Sequence, residues 1–378
     1  MPLSRRDFSK LAGFSAAAAL APGALRASAQ SGVQPGGSSV AIKPIGYCIV
    51  GLGRISVDHF MPGLLQSQHG KVTGLVSGTP DKARALAAKY NVPATSVYSY
   101  EQYDKMRDNP AIDAVYIGLP NSMHAEYTIR AAKAGKHVLC EKPMASTVAD
   151  SRAMIAACAA AQRKLMIAYR CQLEPVNLKA IALIRSGAIG QVQAIESANG
   201  FNIQAGEWRL NKKLAGGGPL MDVGIYSLNA SRYLTGEEPQ VLSAYSSVID
   251  HDGRFNEVEE NVGWTMRFPS GIVASCNTTY GADMDGYYKV HGSKGMIELS
   301  PAFGYEGIHM TGFTGSGAQK QPLDMPEPIK DPQQFTVEAD YFADCVRNDK
   351  PVKMSGEEGL RDMELMMQIY RAAGIKTS

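Results

Sequence analysis

What this sequence lacks narrows it first. Its six cysteines (Cys48, Cys140, Cys158, Cys171, Cys276 and Cys345) are scattered, with no C-x-x-C pair and no cluster of histidines. That spacing offers no metal site and no reason to assert a disulfide. Cys48 and Cys140 lie in apolar, strand-like runs and read as core residues. The formal net charge is only +2, and no dense Lys/Arg run follows the N-terminal segment, which argues against nucleic acid as a partner. No apolar run reaches the ~20 residues that a membrane-crossing helix needs, so no membrane partner is expected. No internal repeat is visible.

What is present begins at the N-terminus. Ser4-Arg5-Arg6-Asp7-Phe8-Ser9-Lys10 pairs two arginines ahead of a short, Ala-rich stretch from Leu11 to Ala21, and Ala27-Ser28-Ala29 supplies a small-x-small cleavage site. Residues 1–29 read as a removable twin-arginine signal, which makes the export machinery a partner and the periplasm the destination. The alternative is the basic N-terminus of a cytoplasmic enzyme. Residues 30–45, rich in Gly, Pro and Ser, read as a flexible arm. About 350 residues remain, which as a prior means two domains.

From Gly46 to Arg170, short apolar β-type runs alternate with helical patterns such as Ala83–Tyr90, Ala125–Ala134 and Val148–Ala161. This is the pattern of βαβ units, and it predicts a doubly wound parallel sheet over 46–170. Beyond it, runs such as Val192–Ala198, Asn261–Phe268 and Ile272–Thr279, joined by Gly-containing turns, predict a mainly antiparallel, open-faced sheet with helices over 171–378. The fold class is therefore α/β followed by α+β. Residues 302–334 read as a long Gly/Pro excursion. Two final helices, near Phe335–Arg347 and Glu357–Ala373, close the chain.

Gly51-Leu52-Gly53-Arg54-Ile55-Ser56 directly follows the first strand and opens a helix. This is a Rossmann dinucleotide fingerprint, G-x-G-x-x-S. The first Gly permits the tight turn, and the second lets the backbone approach a pyrophosphate. Where an NAD site places a carboxylate, the second strand ends in Ser77, with Lys82 and Arg84 close behind. A hydroxyl and cations suit the 2′-phosphate of NADP, although Lys82 and Arg84 are equally what the solvated face of a helix would carry. Glu141-Lys142-Pro143 falls at the C-terminal edge of the parallel sheet, where such folds place ligands. Further on, Asp222 and Tyr226 stand four residues apart, on one face of a helix. A lysine that stabilises an alkoxide, and a tyrosine whose phenol is acidified by that cation, suit hydride removal from a carbinol.

Gly51–Gly53, Pro120-Asn121-Ser122-Met123-His124-Ala125-Glu126, Cys140-Glu141-Lys142-Pro143-Met144-Ala145, Tyr169-Arg170-Cys171, Trp208-Arg209-Leu210 and the run Gly216–Tyr226 together carry a resemblance. The chain resembles the Gfo/Idh/MocA family of oxidoreductases, and within it the glucose–fructose and aldose–aldose oxidoreductases. The resemblance implies Lys142 and Tyr226 as catalytic residues, Asp222 as a sugar contact, and a cis Lys142–Pro143 bond. It implies that Ser77 and Lys82 hold the 2′-phosphate, while Gly51, Leu52, Gly53, Arg54, Ile55 and Tyr100 line the rest of the dinucleotide path. Leu119, Pro120, Asn121, His124 and Glu141 fall in the same implied cofactor site, as do Arg170, Trp208 and Arg209. A homo-oligomer is implied as well. The arm before Gly46 is shorter than that family's, and the stretch Ala198–Gly206 departs from it near the substrate region.

Export and cofactor type interact. The periplasm holds no NADP pool, so the expectation is an NADP loaded before export and held tightly. Such an enzyme oxidises one sugar to a lactone and reduces a second by ping-pong kinetics. A conventional dehydrogenase with exchangeable NADP and a non-catalytic sugar or nucleotide sensor stand as alternatives.

Overall fold

The structure, a computed structural model, describes residues 43–376. The signal and almost all of the arm expected over 30–45 lie outside the described residues. The first strand already begins at Ile45, one residue inside that arm.

The N-terminal half runs β1 (Ile45–Val50), a π-helical run Ile55–Phe60, α1 (Met61–Gln66), β2 (Gly70–Val76), α2 (Pro80–Lys89), β3 (Val97–Tyr98) and β4 (Ala114–Ile117). It continues through α3 (His124–Lys133), β5 (His137–Glu141), α4 (Val148–Ala160) and β6 (Leu165–Ala168). All pairings in its sheet are parallel, in the order β3-β2-β1-β4-β5-β6. β1, β4 and β6 are buried along their whole length, as strands covered on both faces must be. β3, two residues long, has no run from which it could be read.

The C-terminal half follows with α5 (Pro175–Arg185), β7 (Val192–Gly200), α6 (Lys212–Ala215), a π-helical run Leu220–Gly224 and α7 (Ile225–Thr235). Then come β8 (Gln240–Ser247), β9 (Asn261–Arg267), β10 (Val273–Thr279), β11 (Tyr287–Gly292), β12 (Gly295–Leu299), β13 (Met310–Thr314) and β14 (Gln321–Pro322), before α8 (Gln333–Arg347) and α9 (Gly356–Ala372). The second sheet is ordered β14-β13-β12-β11-β7-β10-β9-β8, and only β7 and β10 pair in parallel. β9 and β10 alternate buried with less buried residues, the mark of a sheet with one face on the core and one toward water. The excursion expected over 302–334 in fact adds two strands to this sheet. Met310-Thr311-Gly312-Phe313-Thr314 hides β13 because glycine blanks one position of the alternation.

α8 leaves the second sheet and packs back on the first. The Tyr47 hydroxyl donates to the Ala339 carbonyl at 2.8 Å, and the Thr336 hydroxyl donates to Gly63 O at 2.9 Å. All six cysteines are buried free thiols. Among the described residues, no helix is long and apolar enough to cross a membrane, and no cluster of His, Cys, Asp or Glu is placed to hold a metal.

Candidate active site

The carboxyl ends of β1, β2, β4 and β5 make one wall of a cleft. Gly51 takes a φ of +86°, and a Cβ there would strike Gly118 O and the Leu119 side chain, both at 2.7 Å. A Cβ on Gly53 would meet only Gly118 O, at 3.9 Å, so the backbone of the second glycine faces free space. That is the cradle a pyrophosphate requires. Ser56 replaces the third glycine and is buried with no room to spare. A Cβ on Gly118 would come within 2.5 Å of its Oγ, so Gly118 supplies the closeness that the fingerprint's third glycine usually supplies. The helix opens as a π run, and Phe60 stacks on Tyr116 with centroids 3.6 Å apart.

At the end of β2 no carboxylate appears. Ser77 is buried and its Oγ accepts from Thr79 N at 3.0 Å, while the Tyr100 ring lies against Gly78. Lys82 is exposed and makes no ion pair among the described residues, whereas Arg84 is tied to Asp81. The residues at the end of β2 thus fit a dinucleotide that carries a 2′-phosphate.

Two of the expected cofactor contacts, His124 and Arg170, are buried and bonded to the protein's own carbonyls. His124 is wholly buried, with Nδ1 2.9 Å from Pro143 O and Nε2 2.9 Å from Leu119 O. Burial lowers its pKa against the pull of these carbonyls. It joins the loop after β4 to the loop after β5. Arg170 is also buried. It donates to Phe303 O at 2.5 Å, Gly304 O at 2.9 Å and Gln334 Oε1 at 2.5 Å, so its guanidinium is occupied by protein. Asn121 lies beside Pro120 and donates to Ala215 O at 2.8 Å, tying the first half to the second. Glu141 accepts the Tyr116 hydroxyl at 2.7 Å and the Lys142 N–H at 3.3 Å.

The opposite wall is built on Gly216–Tyr226. Asp222 and Tyr226 do not share an unbroken α-helix, because Asp222 lies in the π run and Tyr226 in α7. Both still face Lys142. The Lys142 Nζ donates to Asp222 O at 2.6 Å and to Asp222 Oδ1 at 3.3 Å, and lies 4.7 Å from the Tyr226 ring centroid. Asp222 Oδ2 lies 2.8 Å from Arg209 Nε in an ion pair and accepts from the Tyr280 hydroxyl at 2.9 Å. Burial pushes this carboxyl up, but Arg209, Lys142 and Tyr280 outweigh it and hold it at about 2. Asp222 thus anchors the two cations. The Lys142–Pro143 bond is cis.

The expected acidification of Tyr226 is reversed. Burial raises its phenol well above the ordinary range, and the opposing pull of Arg170, 5.5 Å from the ring, is too weak to offset it. Tyr226 stacks on Phe303, and Tyr305 covers Arg170 at 4.5 Å. Tyr280, Phe303 and Tyr305 are site residues that no motif announces. Their only signal is an aromatic beside a glycine at a strand end or in the 302–334 stretch.

A chain of charges crosses the cleft. Arg54, in the glycine loop, pairs with Glu207 at 2.7 Å, Glu207 approaches Arg209 at 3.6 Å, and Arg209 binds Asp222, which binds Lys142. Trp208 lies on this path, with the Arg209 guanidinium 4.8 Å from its ring.

A glycine-cradled cleft at the end of a parallel sheet, where the lysine after β5 meets a tyrosine on α7, defines a dinucleotide-dependent oxidoreductase. Residues 45–169 match the oxidoreductase family with NAD-binding Rossmann fold, and residues 177–298 match the GFO/IDH/MocA C-terminal domain. The chain belongs to the Gfo/Idh/MocA family. It is 31% identical over 336 residues to the D-xylose 1-dehydrogenase [NADP(+)] of Haloarcula marismortui, spanning 87% of this chain and 91% of that one. The aldose-aldose oxidoreductase from Caulobacter crescentus, solved with glycerol, superimposes with a TM-score of 0.84 at 44% identity, over 88% of this chain and 98% of the other. A 3-ketoreductase from Actinomadura kijaniata, solved with NADP and TDP-benzene, shares the fold at 21% identity, with a TM-score of 0.76 over 87% and 98% of the two chains.

Proposed function

We propose that this chain is a periplasmic sugar oxidoreductase with a resident NADP(H). It oxidises an aldose at C1 to the aldonolactone, then reduces a second sugar to the alditol at the same site. The observation that carries this reading is the Lys142–Asp222–Arg209–Tyr280 cluster facing Tyr226 beside the glycine cradle. The likeness to the aldose-aldose oxidoreductase supports the substrate class, and the arginine-pair segment supports export.

NADP held by the glycine loop, with Ser77 and Lys82 at its 2′-phosphate, would supply the hydride chemistry of both half-reactions. The protein's part is positional and electrostatic. An ammonium has three donors, and two of Lys142's are spent on Asp222, which leaves one for the reacting sugar oxygen. The ionised Asp222 keeps that ammonium and Arg209 fixed, so alkoxide character meets a preorganised cation. Tyr226, neutral at rest, donates its proton to the oxygen of the sugar being reduced and recovers one from the C1 hydroxyl of the aldose being oxidised, so the two half-reactions balance.

The test is to incubate purified protein with one aldose and neither acceptor nor added cofactor. Aldonic acid and alditol forming together in equal amounts is the expected result. No product until NADP is supplied, followed by lactone alone, would instead establish an exchangeable-cofactor dehydrogenase. The likeness to the D-xylose 1-dehydrogenase favours that second reading.

A further inference from the structure

Residues 202–210 cross from the second sheet toward the glycine loop. Their N-terminal end is tied down by Arg254, which donates to Asn202 Oδ1 at 2.8 Å and Ile203 O at 2.7 Å. Ile203 packs with Phe255, Val258 and Tyr280 in a small apolar cluster separate from the main core. At the other end, Lys212 N donates to Glu257 at 3.1 Å. Between these anchors Gln204, Ala205 and Gly206 are exposed, and the chain makes no backbone ladder. A segment anchored on its own cluster and free of the main core opens at low cost.

Glu207 is where this segment touches both sides. One carboxyl oxygen meets Arg54 of the dinucleotide loop and the other approaches Arg209, which holds Asp222. Among the described residues Arg54 has no other carboxylate partner, and the other partner of Arg209, Asp222, pairs with Lys142 and not with the glycine loop. We infer that residues 202–210 are a strap over the cofactor cleft and that Glu207 is its latch. The closed strap slows departure of NADP(H) and sets Arg209, and through Asp222 the ammonium of Lys142, in place. Glu207 is thus a positioning residue. The inference deepens the resident-cofactor reading and rests on it for its significance, but not for its measurement.

The test is a double-mutant cycle in full-length protein loaded with NADPH, following the loss of bound-nicotinamide fluorescence after dilution into excess NADP. Arg54→Ala and Glu207→Ala should each speed dissociation by ~2–5-fold at low salt, the scale of a solvent-exposed pair. The double variant should be no faster than either single variant, because one interaction is being removed. Salt should accelerate the wild type toward the variants and leave the variants unchanged. Glu207→Ala should also lower kcat, since it removes one of the two carboxylates that set Arg209. Additive effects, or rates indifferent to both substitutions and to salt, would overturn the strap. Fast dissociation from wild type with a non-additive cycle would instead overturn the resident cofactor and leave the latch standing.

Discussion

At Asp222 two cations and a phenol converge on one carboxylate, and this convergence makes the residue both a site element and a stability element. Replacing it with asparagine keeps the shape but releases Lys142 and Arg209 from their counter-charge. Turnover in D222N should fall ~10²-fold or more, the scale of a lost preorganised electrostatic contact. Because the folded carboxyl titrates at about 2, below its ordinary 3.8, its stabilisation is complete above the ordinary value. It drains away as pH falls from about 4 to 2, so acid melting curves of wild type and D222N should converge in that window. Glu338 behaves with the opposite sign. It is fully buried, and neither carboxyl oxygen has a partner among the described residues. Burial, reinforced by Glu141, raises its pKa, so it is kept as the neutral acid. Stability then falls as pH rises above the ordinary 4.5, and Glu338→Gln should flatten that decline in Tm. Tyr226→Phe should abolish turnover, typically by 10²–10⁴-fold, while leaving bound nicotinamide absorbance intact. Unchanged turnover in Tyr226→Phe would remove the phenol from the chemistry.

At the scale of elements, the helix after the glycine loop depends on one crowded meeting point. Gly118→Ala would push on Ser56 where no space exists, and should cost ~1–3 kcal/mol, read as a lower denaturation midpoint. Weaker NADP binding should accompany it, since the same helix start faces the cofactor. The opening strands, the glycine loop and Lys142 were legible in the sequence because their spacing is local: strand, turn and helix follow one another within a few residues. Asp222 and Tyr226 were legible for the same reason, though the π run between them was not. What stayed hidden depends on contacts across long separations. Tyr280 reaches Asp222 from the end of β10, Tyr305 reaches Arg170 from the 302–334 stretch, and Glu207 reaches Arg54 across the cleft. His124 and Arg170 are assigned to the cofactor site by family resemblance alone, whereas their burial and their carbonyl partners follow only from the packed structure.

Across the whole molecule the two sheets are not independent bodies, because α8 belongs to the first by contact and to the second by sequence. Its Phe335 and Phe342 are fully buried, and Ala339 receives the Tyr47 hydroxyl from β1. A truncation before Gln333 should therefore expose the face of β1 and α1, with binding of a hydrophobic dye and loss of cooperative melting as the readout. A stable, NADP-binding fragment would contradict that dependence. The same feature imposes an order on biosynthesis. The strand that leads into the glycine loop is made well before the helix that seals its neighbourhood, since the contact from Tyr47 to Ala339 spans 292 positions. The cofactor cradle therefore cannot be finished before α8 has been made. Any proofreading that asks whether the cradle is filled reads a chain in which that helix is already packed.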